Sequence, residues 1–211
     1  MKNYRTIKQD GQLEINIKKS RFICYLKRTE TEEQAQLFID SLKKEHWKAN
    51  HNCSAYVIGE NNEIQRMSDD GEPSGTAGLP MLDVLKKKDL RNVTAVVTRY
   101  FGGVKLGASG LIRAYGNTTK EAIDSVEVVE RQLQQYIDLN VSYPMSGKIQ
   151  NQLYQTSYRL EDTLYTDTVT FKCLVPVEHV PLFYEETTEW TSGQGKYSKG
   201  PQAWIEVDVA D

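Results

Sequence analysis

Apolar and polar residues alternate through Leu13-Glu-Ile-Asn-Ile17, and the chain then enters Arg21-Phe-Ile-Cys-Tyr-Leu26. Both stretches predict strands, because successive side chains of a strand face opposite ways. Beyond them, Thr29 and Thr31 are both able to cap a helix, acidic residues follow, and Ala35, Phe38, Ile39 and Leu42 recur at helical spacing, predicting a helix over residues 32–45. Alternation returns over residues 53–58 and again over 64–67, two strands joined by the polar turn Gly59-Glu-Asn-Asn62. Residues 68–80 hold three glycines, two prolines and several short polar side chains, a composition that defeats either periodicity and predicts a shaped loop. A helix over 81–88, a β-branched strand over 93–98, a glycine-rich turn and a helix over 108–125 complete the first half.

After Glu130 the pattern restarts as β-α-β-β-α-β, with strands expected near 132–141, 160–165, 168–175 and 203–209 and helices at 146–158 and 178–189. That order is ferredoxin-like, two helices covering one face of an antiparallel sheet. The fold class is therefore α+β with two domains, residues 1–130 and 131–211.

Charge separates the halves. Residues 1–131 carry 21 basic and 18 acidic side chains, whereas 132–211 carry 5 and 11, for a net charge of -3. A chain that binds nucleic acid over its whole surface is excluded, and one basic face in the first half remains available. No apolar run reaches the roughly 18 residues needed to cross a bilayer, and the opening Met-Lys-Asn-Tyr-Arg-Thr lacks a signal-peptide core, so a cytoplasmic protein without a membrane partner is expected. Cys24, Cys53 and Cys173 are odd in number and widely spaced, which predicts buried thiols rather than disulfides or a zinc site.

Candidate chemistry gathers in two segments, Arg66 to Pro80 and Val97 to Tyr115, both loops that enter helices. A glycine-rich turn delivering free backbone N–H groups to a helix N-terminus favours an anion, and Arg99, Lys105 and Arg113 lie around the second turn. Neither the Gly-Lys-Ser/Thr phosphate loop nor the dinucleotide spacing is present, so nucleotide hydrolysis is unsupported. Asp69, Asp70 and Glu72 invite a magnesium reading, but Asp and Ser caps on a turn that Glu72-Pro-Ser74 leads into Thr76 account for them more simply. His51 and Cys53 share one strand face, yet a thiol inside an apolar run is more often packing than nucleophile. His46 and His179 read as surface residues, and Trp47, Trp190 and Trp204 as core or edge packing. No catalytic residue, metal ligand or cofactor is assigned.

At Ser68-Asp-Asp-Gly-Glu-Pro-Ser-Gly-Thr-Ala-Gly78, at Thr98-Arg-Tyr-Phe-Gly-Gly103 with Lys105-Leu-Gly107 and Gly110-Leu111, and at His51-Asn-Cys-Ser-Ala-Tyr56, the sequence resembles the IMPACT family. The resemblance covers essentially the whole chain, most densely residues 15–125, with Ala108-Ser109 departing from a more glycine-rich run. It implies a first domain like ribosomal protein S5 domain 2, a fold shared with domain IV of elongation factor G, and a second like domain V of that factor. It also implies work in translation: eukaryotic members act by protein binding, competing for the activator of a kinase that phosphorylates an initiation factor, a kinase pathway bacteria lack.

The expected function is thus a non-enzymatic binding protein that contacts RNA, the ribosome or a translation factor through Asp69, Asp70, Glu72, Ser74, Thr76, Arg99, Tyr100, Lys105 and Arg113. The competing expectation is an enzyme or sensor for a small phosphorylated or nucleotide ligand, with magnesium on Asp69, Asp70 and Glu72 and phosphate on Arg99 and Lys105.

Overall fold

The computed structural model describes residues 3–209. It divides between Glu130 and Arg131, inside one long strand, into a unit of Tyr4–Glu130 with residues 207–209 and a unit of Arg131–Glu206 with Asn3. Both mix strands and helices. Among the described residues no helix is long and apolar enough to cross a membrane.

The first unit opens with a short strand β1 (Tyr4–Ile7) and continues through β2 (Gly11–Ile17), β3 (Ser20–Arg28), α1 (Glu32–Glu45), β4 (His51–Ile58), β5 (Ile64–Ser68), α2 (Gly78–Lys87), β6 (Val93–Tyr100) and α3 (Gly107–Val126). Its antiparallel sheet has the order β2-β3-β6-β4-β5, in registers such as Leu13 with Cys24, Cys24 with Val97, and Cys53 with Val97. β6 is buried along both faces, which explains why its sequence reads Val-Thr-Ala-Val-Val-Thr rather than alternating. One face packs Phe22, Cys24, Ala55 and Val97 under Met81 and Leu85 of α2 and Leu111, Tyr115 and Ile123 of α3. On the other face α1 sets Ala35, Ile39 and Leu42 against Tyr56, Ile58 and Val96.

Of the two threonines before α1, Thr31 is the cap, its hydroxyl accepting from the Gln34 N–H at 3.2 Å. Thr29 is buried and bonds Thr94 Oγ1 at 2.6 Å. Two expectations next to α1 are corrected, His46 as a surface residue and Trp47 as packing. His46 closes α1 half-buried between Tyr25 Oη, 2.6 Å from its Nε2, and Tyr100 Oη, 2.8 Å from its Nδ1. Trp47, expected in packing, stands 73% exposed in the turn that follows the helix.

The second unit runs β7 (Val128–Val141), α4 (Tyr143–Tyr154), β8 (Arg159–Tyr165), β9 (Val169–Pro176), a 3-10 turn (Val177–His179), α5 (Val180–Trp190) and β10 (Lys196–Asp208). Its sheet has the order β1-β7-β9-β8, and β10 also pairs β7. Ile137, Leu139, Val169, Phe171 and Cys173 face Ile149 and Leu153 of α4 and Phe183 of α5. α4 starts earlier and ends earlier than the periodicity predicts, because Pro144 sits in its first turn, where a missing N–H costs nothing. β10 begins seven residues before the expected strand and passes through Gly200-Pro201, whose carbonyls accept from Gln135 Nε2 at 2.6 and 3.2 Å. An edge position makes proline tolerable there.

Candidate functional site

The loop from Ser68 to Gly78 is held by its own carboxylates. Asp69 accepts the N–H groups of Gly75 at 2.9 Å, Ala77 at 3.1 Å and Gly78 at 2.9 Å. Partial burial would raise its carboxyl, but these three backbone donors outweigh that and hold it below the ordinary aspartate value. The start of α2 is therefore already occupied by an anion from the chain itself, the aspartate cap of the turn that the sequence suggests. This also explains why α2 begins at Gly78, ahead of the apolar run at Met81.

Asp70 turns elsewhere, accepting from the Asn52 N–H at 2.7 Å and pairing with Lys43 Nζ at 3.0 Å. Thr76 is buried, its hydroxyl on the Pro73 carbonyl at 2.7 Å, while Ser74 is exposed at the loop surface. Asp69, Asp70 and Glu72 thus diverge onto separate partners, and among the described residues no group of three His, Cys, Asp or Glu side chains is placed to hold a metal ion.

Replacing Asp69 by alanine is expected to cost about 1–2 kcal/mol, the upper part of the range for a lost helix cap, because three donors lose one acceptor. The depressed carboxyl contributes stability that is present above the unfolded value of about 3.9 and lost as pH falls below it through the folded value. Urea denaturation across an acid pH series should show that dependence reduced in Asp69→Asn; an unchanged profile would contradict the capping role.

Glu72 turns inward. Its Oε1 lies 2.6 Å from Arg99 Nη1 and accepts from Tyr115 Oη at 2.8 Å, so the loop is joined to β6 and α3 at one carboxylate. The Arg99 guanidinium is sandwiched between the rings of Phe22 and Phe101, 5.3 and 5.4 Å from their centroids, and its Nη2 reaches Ser20 Oγ at 3.4 Å. Arg99 is only 5% exposed. The expectation of Arg99 as a surface phosphate contact is corrected: on β6 it points at the α3 side of the sheet, where its charge is needed by Glu72.

Tyr100, the next residue, points the opposite way, onto His46 with Arg21 above its ring, and does not join the turn. Burial pushes the Cys53 thiol up to about 12, and its Sγ donates to the Asp69 carbonyl at 3.0 Å, an arrangement unsuited to a nucleophile. His51 places Nδ1 2.9 Å from the Asp70 carbonyl, so that nitrogen carries a proton, and Nε2 3.7 Å from Glu72 Oε2.

The second loop, residues 101–106, is open where the first is closed. α3 starts without a side-chain cap and with no acidic residue in its first turn. Lys105 and Arg113 are exposed. Two cations that sequence reasoning missed join them: Lys18 and Lys19 form the tip between β2 and β3, both at positive φ (45° and 67°), the geometry of a two-residue hairpin turn. Gly102 brings this tip in, since a Cβ there would lie 2.0 Å from the Lys19 carbonyl oxygen, and its N–H donates to Ser20 Oγ at 3.2 Å. The only sequence signal was a short gap between two strands; a contact across eighty residues leaves no local trace. Arg113 spends one N–H on the Ser109 carbonyl at 3.3 Å, and among the described residues Lys18, Lys19 and Lys105 have no carboxylate partner.

Fold and site define a two-unit α+β protein whose acidic loop is spent internally and whose basic turn has no carboxylate partner among the described residues. The chain belongs to the IMPACT family: the Impact N-terminal domain matches residues 18–123, and a domain of unknown function (DUF1949) matches residues 139–194. It is 50% identical to the IMPACT family member YvyE of Bacillus subtilis over 98% of this chain and 95% of that one. To the IMPACT family member YigZ of Escherichia coli it is 35% identical, over 84% and 88%. A crystal structure described as a hypothetical protein is similar with a TM-score of 0.61 at 32% identity, over 95% of this chain and 98% of that one.

Proposed function

We propose that the protein is a non-enzymatic binding protein that contacts RNA of the translation apparatus through the basic turn formed by Lys18, Lys19, Lys105 and Arg113. The observation that carries this reading is that Lys18 and Arg113 line one pocket, Lys19 is held at the hairpin tip against Gly102, and Lys105 lies in the loop before α3, none of them with a carboxylate partner among the described residues. Elsewhere in the same unit Lys8, Arg21, Lys43 and Lys88 are neutralised by carboxylates. An unneutralised cluster beside a helix N-terminus without a side-chain cap is complementary to phosphates.

The competing reading, a magnesium-dependent site for a small phosphorylated ligand, loses support because Asp69, Asp70 and Glu72 each serve a separate partner and Arg99 is buried against Glu72. For the two folds we favour a ferredoxin-like reading of the second unit, supported by the path β7-β9-β8 with β10 also pairing β7, and an S5 domain 2-like reading of the first, supported by family membership. The translation assignment rests on that membership together with the phosphate complementarity of the turn.

Co-sedimentation with separated ribosomal subunits at low salt tests the proposal. The unsubstituted protein is expected to pellet with a subunit and a Lys18→Ala, Lys105→Ala, Arg113→Ala variant to remain in the supernatant. These three side chains are exposed, so the variant should keep its melting temperature. Equal pelleting of both would move the contact away from this turn.

A further inference from the structure

Beside the basic turn lies an open pocket of about 250 Å³. That is smaller than the roughly 300–1,000 Å³ of sites that enclose a whole small ligand, so it suits one protruding group of a larger partner. Ile17, Leu106 and Ala114 give it aliphatic walls. Gly110 also lines it, and a Cβ there would press to 3.0 Å of Leu106 Cβ, so a side chain at this position would crowd the pocket wall. Lys18 and Arg113 also line it, and Asn117 adds an exposed carboxamide that makes no hydrogen bond among the described residues.

Resting on the RNA reading above, we infer that this pocket receives the base of an unpaired nucleotide. Three features meet in that one occupant. A base is planar with apolar faces, matching the aliphatic walls; its edge offers donors and acceptors, matching the Asn117 carboxamide; and it is tethered to phosphate, matching Lys18 and Arg113. Bases stacked inside an A-form duplex cannot enter such a pocket, whereas bases in single strands, loops and bulges can be splayed out into it. The cluster therefore selects single-stranded or bulged RNA over continuous duplex, the phosphates supplying affinity and the pocket supplying the preference.

Fluorescence anisotropy with a single-stranded RNA and a perfect duplex of the same length tests this, using the full chain, Gly110→Leu to fill the pocket, and Asn117→Ala as a variant that adds no bulk. The unsubstituted protein should favour the single strand by about tenfold or more, the scale of one good base contact. Gly110→Leu should abolish the preference with duplex affinity unchanged, and Asn117→Ala should weaken single-strand binding alone. Equal affinity for both RNAs, or a preference surviving both substitutions, would overturn the pocket while leaving the basic turn as an RNA contact. Failure of the unsubstituted protein to bind either RNA would instead remove the RNA reading, and this inference with it.

Discussion

Replacing Arg99 by alanine is expected to lower the stability of the first unit by about 3–5 kcal/mol, the cost of breaking a buried ion pair by deleting one partner. The physical reason is what would be left behind. Glu72 would keep the Tyr115 hydroxyl at 2.8 Å but lose the cation at 2.6 Å in a place where water cannot replace it. The gap between Phe22 and Phe101 would open at the same time. Arg99→Ala with Glu72→Gln should recover part of the loss, because a neutral amide is cheaper to bury than an unpaired carboxylate. Urea denaturation of the two variants measures both values. A cost below about 1 kcal/mol, the level of an exposed pair, would mean that Glu72 finds other partners and that the loop is not fastened there.

The second large effect is expected at Gly102. An added Cβ would sit 2.0 Å from the Lys19 carbonyl oxygen and 2.1 Å from its carbon, backbone atoms that cannot rotate away. Gly102→Ala must therefore push the β2–β3 tip off the turn, at about 1–3 kcal/mol, the range for overpacking a close contact. It would also carry Lys18 and Lys19 away from Lys105 and Arg113. Gly103→Ala is the comparison: nothing lies within 4 Å of its added carbon, so only its positive φ of 86° is strained and the tip should stay in place. Amide hydrogen exchange at residues 17–21 distinguishes the two, with faster exchange expected in the Gly102 variant alone.

The parts of the fold that could be read in advance are those whose cause is local. α1 follows from Thr31 and the spacing of Ala35, Ile39 and Leu42, and its ends fall where the periodicity places them. β6 follows from a β-branched run buried on both faces. What escaped has a distant cause. β1 is four residues long and half polar, too short for a pattern. The start of α2 depends on Asp69, nine residues before Gly78. At the site, the depth of Arg99 depends on Glu72, which is far from it in sequence, and strand alternation alone does not say which face of β6 is covered by α3. The glycines of both loops were legible as shaped turns, but not their opposite fates, one closed on an internal carboxylate and one left open beside four cations.

If this basic turn meets phosphates, RNA affinity must depend on salt. For single-stranded RNA, log affinity should fall linearly with log salt with a slope of about −0.7 for each phosphate neutralised, giving roughly −2 to −3 for three to four cations. In the Lys18→Ala, Lys105→Ala, Arg113→Ala variant the slope should shrink toward that of a single contact. A shallow slope in the unsubstituted protein, or the same slope in both, would contradict the account.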